Sequence, residues 1–212
     1  MMNPKKSLCV AISCFMIFVP VDLSFAGFSQ RLDDKAKAIV RNTEDRKAQA
    51  LAKSNYKLNS KGNCPKLERE VVELVNQERE EVNEEREENE ETPLKILKVK
   101  NVLKSTARAK SKEMYKSNKF AHERPNGDPF WTLLDEPKYK IKGKQEKRAE
   151  NIQCGESPCM PTPQEIFDKF KKSPKHYKNM IGDFDYLGVG FYCKKEGEYY
   201  RWYLTQHFVT FF

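Results

Sequence analysis

The sequence predicts an α+β fold, in which several helices and a small sheet share one domain. Apolar residues recur at helical spacing from Leu67 and again from Val99. Near the C-terminus, residues 187–195 and 198–212 have the pattern of two strands joined by a turn at Gly197, as in a β-hairpin. With 212 residues, the chain is long enough for one well-buried domain and additional segments.

Residues 1–26 have the three parts of a secretory signal. Lys5 and Lys6 give the positive start, residues 8–19 the apolar run, and residues 24–26 a small-x-small cleavage site. An uncleaved membrane anchor is the alternative, but a proline and an aspartate interrupt an apolar run that is already short for a membrane span. We therefore expect cleavage and export, giving a secreted or periplasmic protein with no transmembrane segment.

Residues 27–64 are predicted to form a polar, partly helical N-terminal extension or linker. Their few apolar side chains have loosely helical spacing and are too sparse for a second core. The stretch 55–63 has the composition of a linker, so the folded domain is expected to span residues 65–212.

Cleavage of the signal leaves four cysteines, and an even number in an exported protein predicts two disulfides with three possible connectivities. Cys154 and Cys159 enclose a short loop and are a natural local pair. That pairing would leave Cys64 to bond with Cys193. A zinc site is the alternative, but the sequence has no close Cys-x-x-Cys pair.

The net charge of +8 is unevenly distributed. Residues 78–91 are rich in glutamate, whereas residues 95–119 and 138–148 are rich in lysine. Such runs are usually solvated surfaces, and the basic ones could contact anionic lipid or cell-wall polymer. Nucleic acid is not an expected partner, because the protein is exported and its basic runs lack regularly interleaved aromatic residues.

The first helix is predicted from Leu67 onward, with apolar residues on one face. The glutamate-rich run 80–91 that follows is either a charged extension of this helix or a solvated loop. The second helix leads to the segment that contains His122. Its apolar face is formed by Val99, Leu103, Ala107 and Met114.

Local signals predict the later elements. Thr162 caps a helix that has Pro163 at its first position. Pro174 ends that helix and begins another, so His176 is expected in a helical first turn. In the hairpin, the Gly188-Val189-Gly190 segment predicts a strand on which another backbone can approach closely.

Five motifs occur in order along the chain: Leu74-Val75-Asn76-Gln77-Glu78-Arg79, Phe120-Ala121-His122, Glu150-Asn151-Ile152, Ser173-Pro174-Lys175-His176-Tyr177-Lys178-Asn179 and Thr205-Gln206-His207-Phe208. Together they resemble CAP domains, the superfamily of cysteine-rich secretory proteins, insect venom allergens and plant pathogenesis-related proteins, and its bacterial branch in particular. The resemblance covers roughly residues 65–212. It implies a CAP-type α-β-α sandwich, with a small, mainly antiparallel sheet that has helices on both faces and a strand at Glu150.

The resemblance also implies that His122, Glu150 and His176 converge on one open cleft. Two imidazoles and a carboxylate can bind zinc or another divalent metal ion and leave one coordination position open. Without a metal ion, the same groups could exchange protons. The three residues are therefore both the candidate metal ligands and the candidate catalytic residues.

One departure from the family pattern weakens the metal interpretation. Where the family has a second glutamate, this chain has Ser173, and the nearby acids that could replace it are Glu123 and Asp168. A serine hydrolase that uses Ser173 and His176 is excluded, because Pro174 lies between them and no Gly-x-Ser-x-Gly turn is present.

Three other polar residues in the motifs are expected to have structural roles. His207 lies within an alternating strand, and Asn151 and Asn179 can bond backbone groups at a strand end and a helix start.

The sequence thus predicts an exported binding or interaction module. The resemblance implies a lipid-like ligand or a divalent metal ion, and cell-wall polymer or protein are other possible partners. An enzymatic role is not favoured. The alternatives are a metal-dependent hydrolase that uses the same cleft and an adhesive surface protein that binds through Lys104, Arg108 and Lys112 on its lysine-rich helix.

Overall fold

The computed structural model describes residues 56–139, 141 and 145–211. The predicted signal and most of the predicted extension therefore lie outside the described residues. Within them the helices are α1 (Pro65–Glu88), α2 (Asn101–Ser117), α3 (Pro163–Lys171) and α4 (Pro174–Met180). The strands are β1 (Lys98–Val99), β2 (Gln145–Ser157), β3 (Tyr186–Glu196) and β4 (Tyr199–Phe211), and two 3₁₀ turns cover Phe130–Leu133 and Pro137–Tyr139.

The four strands form one sheet in the order β1-β3-β4-β2. The three long strands pair antiparallel, and the short β1 pairs parallel to β3. The predicted hairpin is confirmed: β3 and β4 are joined at Gly197, whose φ of +60° suits a glycine in a tight turn. Strand β2 is an edge strand, so groups from both faces of the sheet can meet beside it.

The sheet separates two helical layers, as predicted for an α-β-α sandwich. Leu187, Val189 and Phe191 point from one face of β3 into the main core, which α1, α3 and α4 share. On the opposite face, Gly188 and Gly190 point at α2. Trp202, Leu204 and Phe208 of β4 lie on the main-core face, since residues two or four apart on a strand share a face.

The two glycines let the backbone of α2 lie directly on β3, as predicted. A Cβ atom at Gly188 would lie closer than 3.0 Å to the backbone of Leu103, and one at Gly190 equally close to the backbone of Ala107 and Arg108. Real Cβ atoms essentially never come so close to other atoms. Glycine is therefore required for this helix–sheet contact.

The glutamate-rich run continues α1 to Glu88 and is a helical extension, not a loop. The returning chain is bonded along the side of the helix: Asn76 pairs with both backbone groups of Leu97, and Asn83 with both of Leu94. These bonds support the extension, although it has few apolar residues to bury.

Arg79 of α1 is fully buried, and its guanidinium donates to the carbonyls of Lys95, Met180 and Gly182. Burial lowers its pKa to about 10, against the opposing effect of Asp183. One side chain of α1 thus bonds to two distant parts of the chain.

The prediction for Val99 is wrong. Val99 was expected on the apolar face of the second helix, but it lies in β1, is exposed, and pairs with Leu187. The helix begins only at Asn101. The predicted cap of α3 is confirmed, because Thr162 and Glu165 form a reciprocal capping box.

Two further features concern the residues before α1 and the cysteines. Tyr56 and Leu58, in the stretch expected to act as a linker, pack against the main core. The four cysteines expected in disulfides are thiols in this structure: Cys64, Cys154, Cys159 and Cys193.

The glycine contact gives a stability prediction. Gly190→Ala should lower the free energy of unfolding by about 3 kcal/mol, because an added methyl meets backbone atoms that cannot rotate away. Gly197→Ala is the matched control, since a Cβ there meets no atom within 4 Å and costs only left-handed strain, about 1 kcal/mol. Urea unfolding measures both, and equal losses would contradict the predicted contact.

Candidate functional site

The structure brings two of the three predicted site residues into contact. His122 lies in the segment after α2, and Glu150 lies on the edge strand β2. Nδ1 of His122 donates a hydrogen bond to Oε1 of Glu150 at 2.8 Å. The Glu150 side chain is fully buried, whereas that of His122 is 52% exposed. The pair therefore connects a buried charge to the surface.

A second imidazole bonds to the same carboxylate. Nε2 of His207 donates to Oε2 of Glu150 at 3.0 Å, and the two residues are direct partners in the β2–β4 ladder. Nδ1 of His207 lies 2.9 Å from the Thr106 hydroxyl oxygen, and its ring stacks on Phe130. His207 is fully buried, in agreement with a structural role, but the sequence did not reveal its contact with Glu150.

The charge of Glu150 is compensated inside the protein. Burial alone would raise its pKa, but the hydrogen bonds from His122 and His207 and the charge of Lys110 outweigh burial and lower the pKa. The carboxylate is thus held ionised beneath the surface.

Lys110 is a further residue that the sequence did not single out. It is fully buried, and its ammonium group donates to the backbone carbonyls of His122 at 2.6 Å and Glu123 at 2.7 Å. Burial lowers its pKa, although Glu150 and other acids oppose the change. Lys110 therefore fixes the backbone that presents His122.

His176 lies in the first turn of α4, as predicted, with the ring of Phe170 edge-on at 5.2 Å. Burial lowers the pKa of His176, and the charge of His122 lowers it further, so the two rings are close enough to interact electrostatically. Asn151 donates to the His176 carbonyl at 3.0 Å, and Asn179 donates to Asn151 at 2.8 Å. These asparagines bond α4 to β2, in agreement with their expected structural role.

Of the two acids considered as replacements for the missing glutamate, Asp168 lies elsewhere. Asp168 lines a cavity of about 680 Å³ between α1 and α3, together with residues such as Glu73 and Thr162. Glu123 contributes its backbone carbonyl to the Lys110 bond. Ser173 caps α4 without a side-chain hydrogen bond to its first turn.

A three-ligand metal site does not fit this arrangement. Both oxygens of Glu150 accept a hydrogen bond from an imidazole, so the carboxylate is directed at His122 and His207 and not at a shared point with His176. Within residues 56–139, 141 and 145–211, no three His, Cys, Asp or Glu side chains are grouped to hold a metal ion. Metal binding stays a prediction.

An α-β-α sandwich with these elements in this order is the fold of the CAP, or SCP-like, domains. The chain belongs to the cysteine-rich secretory protein family, whose family model matches residues 72–208. It is 31% identical over 166 residues to the uncharacterized protein YkwD of Bacillus subtilis (strain 168). That alignment covers 77% of this chain and 56% of YkwD, so the chain spans little more than half the length of this relative.

Two solved structures are among those similar to this chain. An outer surface protein of Borrelia burgdorferi matches with a TM-score of 0.53 and 13% identity, over 70% of this chain and 95% of that one. An extracellular protein with an SCP domain from Bacillus anthracis matches with a TM-score of 0.48 and 22% identity, over 68% of this chain and 40% of that one. At 13% identity, the likeness to the Borrelia protein concerns the fold alone.

The His122–His176 interaction gives a pH prediction. His176 should titrate below the ordinary imidazole value of about 6.5, because burial and the charge of His122 disfavour its protonated form. His122→Ala should raise this midpoint only in part, since burial remains. Above about pH 6.5 His176 is neutral in both the folded and the unfolded chain, so it does not change the free energy of unfolding. As pH falls below that value, it destabilises the fold, because the unfolded chain binds the proton more readily.

Histidine ring NMR measures this titration, and the chain has only three histidines to assign. A midpoint at or above about 6.5, or one that His122→Ala leaves unchanged, would contradict the interaction.

Proposed function

We propose that this protein is exported and acts outside the cytoplasm as a binding module, and that it takes an amphipathic, lipid-like ligand at the His122–Glu150–His176 site. The observation that carries the proposal is the buried, ionised Glu150, which is bonded to the half-exposed imidazole of His122 in a chain segment that also has exposed aromatic residues. The signal-like residues 1–26 support export.

Burying an ionised carboxylate such as that of Glu150 is energetically unfavourable. Removing an ionised group from water costs several kcal/mol, and at Glu150 this cost is met by two imidazole hydrogen bonds and the charge of Lys110. Ionised groups of this kind, held at an open edge and coupled to titratable neighbours, are concentrated at functional sites.

The surroundings of His122 favour a ligand with a polar head and an apolar body. Phe120 is 50% exposed and Trp131 is 42% exposed, and both lie in the segment between α2 and β2 that carries His122. Phe130 in the same segment stacks on His207, next to Glu150. Exposed aromatic rings beside a polar group suit an amphipathic molecule.

A divalent metal ion is a weaker candidate for the same site. Two imidazoles are fewer donors than a stable zinc site has, so we expect a metal ion to bind only with help from the ligand or from solvent.

None of the helices in the described ranges is long and apolar enough to cross a bilayer.

The binding proposal is tested with lysophosphatidylcholine, a lipid without net charge, below its micellar concentration. Binding should shift the fluorescence of Trp131 to the blue, and the chain's other tryptophan, Trp202, is already buried. His122→Ala and Phe120→Ala should weaken binding about tenfold, which corresponds to the loss of one good contact of about 1.4 kcal/mol.

Tyr199→Ala is the matched control, because Tyr199 is 47% exposed but lies at the start of β4, beside the hairpin turn. Lys104→Glu with Lys112→Glu tests the adhesive alternative. Arg108 is left unchanged, since it bonds the buried Glu68 and is not a free surface charge. Binding that survives His122→Ala and Phe120→Ala, or that falls equally with Tyr199→Ala, would refute the proposed site.

We also propose that Cys64–Cys193 and Cys154–Cys159 are disulfides in the exported protein. Cys64 and Cys193 are fully buried, and the Cys193 amide donates to the Gly62 carbonyl at 2.9 Å, two residues before Cys64. Burial, followed by the nearness of Cys64, raises the pKa of Cys193 to about 12. Adjacent buried thiols suit a bond that closes after export.

Oxidised glutathione should convert each pair to a disulfide and release two molecules of reduced glutathione per bond. Peptide mass spectrometry then identifies the partners. The Cys64–Cys193 bond closes a loop of more than one hundred residues and should stabilise the domain by about 4 kcal/mol. The double variant Cys64→Ala/Cys193→Ala should lose this gain, and a 64–154 or 64–159 link would contradict the pairing.

A further inference from the structure

A third imidazole belongs to the site without facing solvent. His207 bonds one oxygen of Glu150 while His122 bonds the other, at 3.0 Å and 2.8 Å. The side chains of Glu150 and His207 are both fully buried. The three groups thus form a chain of hydrogen bonds from the core to the surface.

We propose that His207 is a positioning residue, which fixes the orientation and tautomer of the His122 ring through Glu150. This inference rests on the proposed function, because it explains how the ring that meets the ligand is held.

The location of the proton in the His122–Glu150 hydrogen bond supports this role for Glu150. An ionised carboxylate only accepts hydrogen bonds, so the proton of the His122–Glu150 bond belongs to Nδ1 of His122. In the neutral ring, Nε2 is then an acceptor that is free to meet a ligand. Glu150 therefore selects one of the two tautomers of His122.

Glu150 favours one tautomer of His122 only if its carboxylate group cannot rotate. The last torsion of a glutamate side chain is broad and has weak preferences of its own. The bond from His207 to Oε2 removes this freedom and leaves Oε1 directed at His122. Without it, one buried carboxylate oxygen would lose its partner, which costs about 1–3 kcal/mol and favours reorientation.

His207 is itself held on two sides. The Thr106 hydroxyl lies 2.9 Å from Nδ1 of His207 and 2.9 Å from the Leu103 carbonyl. Its single proton serves one of them, and a neutral His207 that donates from Nε2 to Glu150 accepts that proton at Nδ1. Phe130 stacks on the ring at 5.8 Å between centroids and 27° between planes. A ring fixed in this way is suited to orient its neighbour.

The test compares His207→Phe with His207→Gln. Phenylalanine keeps an aromatic ring of similar size but donates no hydrogen bond to Glu150, whereas the glutamine amide can still donate one. The readout is ¹⁵N NMR of the His122 ring without ligand, at a pH where imidazoles are neutral. In the wild type, the two ring nitrogens of His122 should give well-separated signals, with the proton on Nδ1.

In His207→Phe, the two His122 signals should move towards each other, as the ring begins to sample both tautomers. His207→Gln should retain most of the wild-type separation. A purely structural role would lower the unfolding midpoint and leave the His122 signals unchanged. Unchanged signals in folded His207→Phe would therefore overturn the inference.

Thr106→Val serves if His207→Phe does not fold, because valine has nearly the size of threonine and removes only the hydroxyl that holds His207. A smaller shift of the His122 signals in the same direction supports the inference, and no shift overturns it. Since these spectra need no ligand, failure of lysophosphatidylcholine binding would end the proposed function alone. Unchanged His122 signals would end only the role of His207.

Discussion

The contact between α2 and the glycines of β3 is the constraint on which the rest of the domain depends. Gly188 and Gly190 allow the helix backbone to lie on the strand without intervening side chains. This contact sets the depth of α2, and with it the positions of Thr106 and Lys110. Since Lys110 bonds the backbone at His122, the packing of one helix determines where the site meets solvent.

The site follows from this packing through electrostatics. A helix that carries a buried ammonium group and an edge strand that carries a buried carboxylate bring opposite charges into one apolar region. Neither charge would be stable there alone. The imidazoles of His122 and His207 complete the compensation, so stability and the presentation of a surface ring depend on the same few groups.

Much of the fold could be predicted from local signals, and the rest could not for definite reasons. Capping at Thr162 and the hairpin at Gly197 depend on residues close together in sequence, which pattern analysis detects. The short β1 escaped detection because two residues have no periodicity and its pairing with β3 is long-range. His207 and Lys110 were missed because strand register and the burial of one lysine among many arise only in the assembled domain.

The strand order has a consequence for how the chain acquires its structure. β3 and β4 occupy the centre of the sheet, and β1 and β2 pair only with them. Among the described strands, the two central ones follow both edge strands in the chain, so β1 and β2 have no strand to pair with until β3 and β4 are made. Pairing between segments this far apart in sequence is slow, because a long loop must close before the contacts form. The sheet therefore closes around its last hairpin.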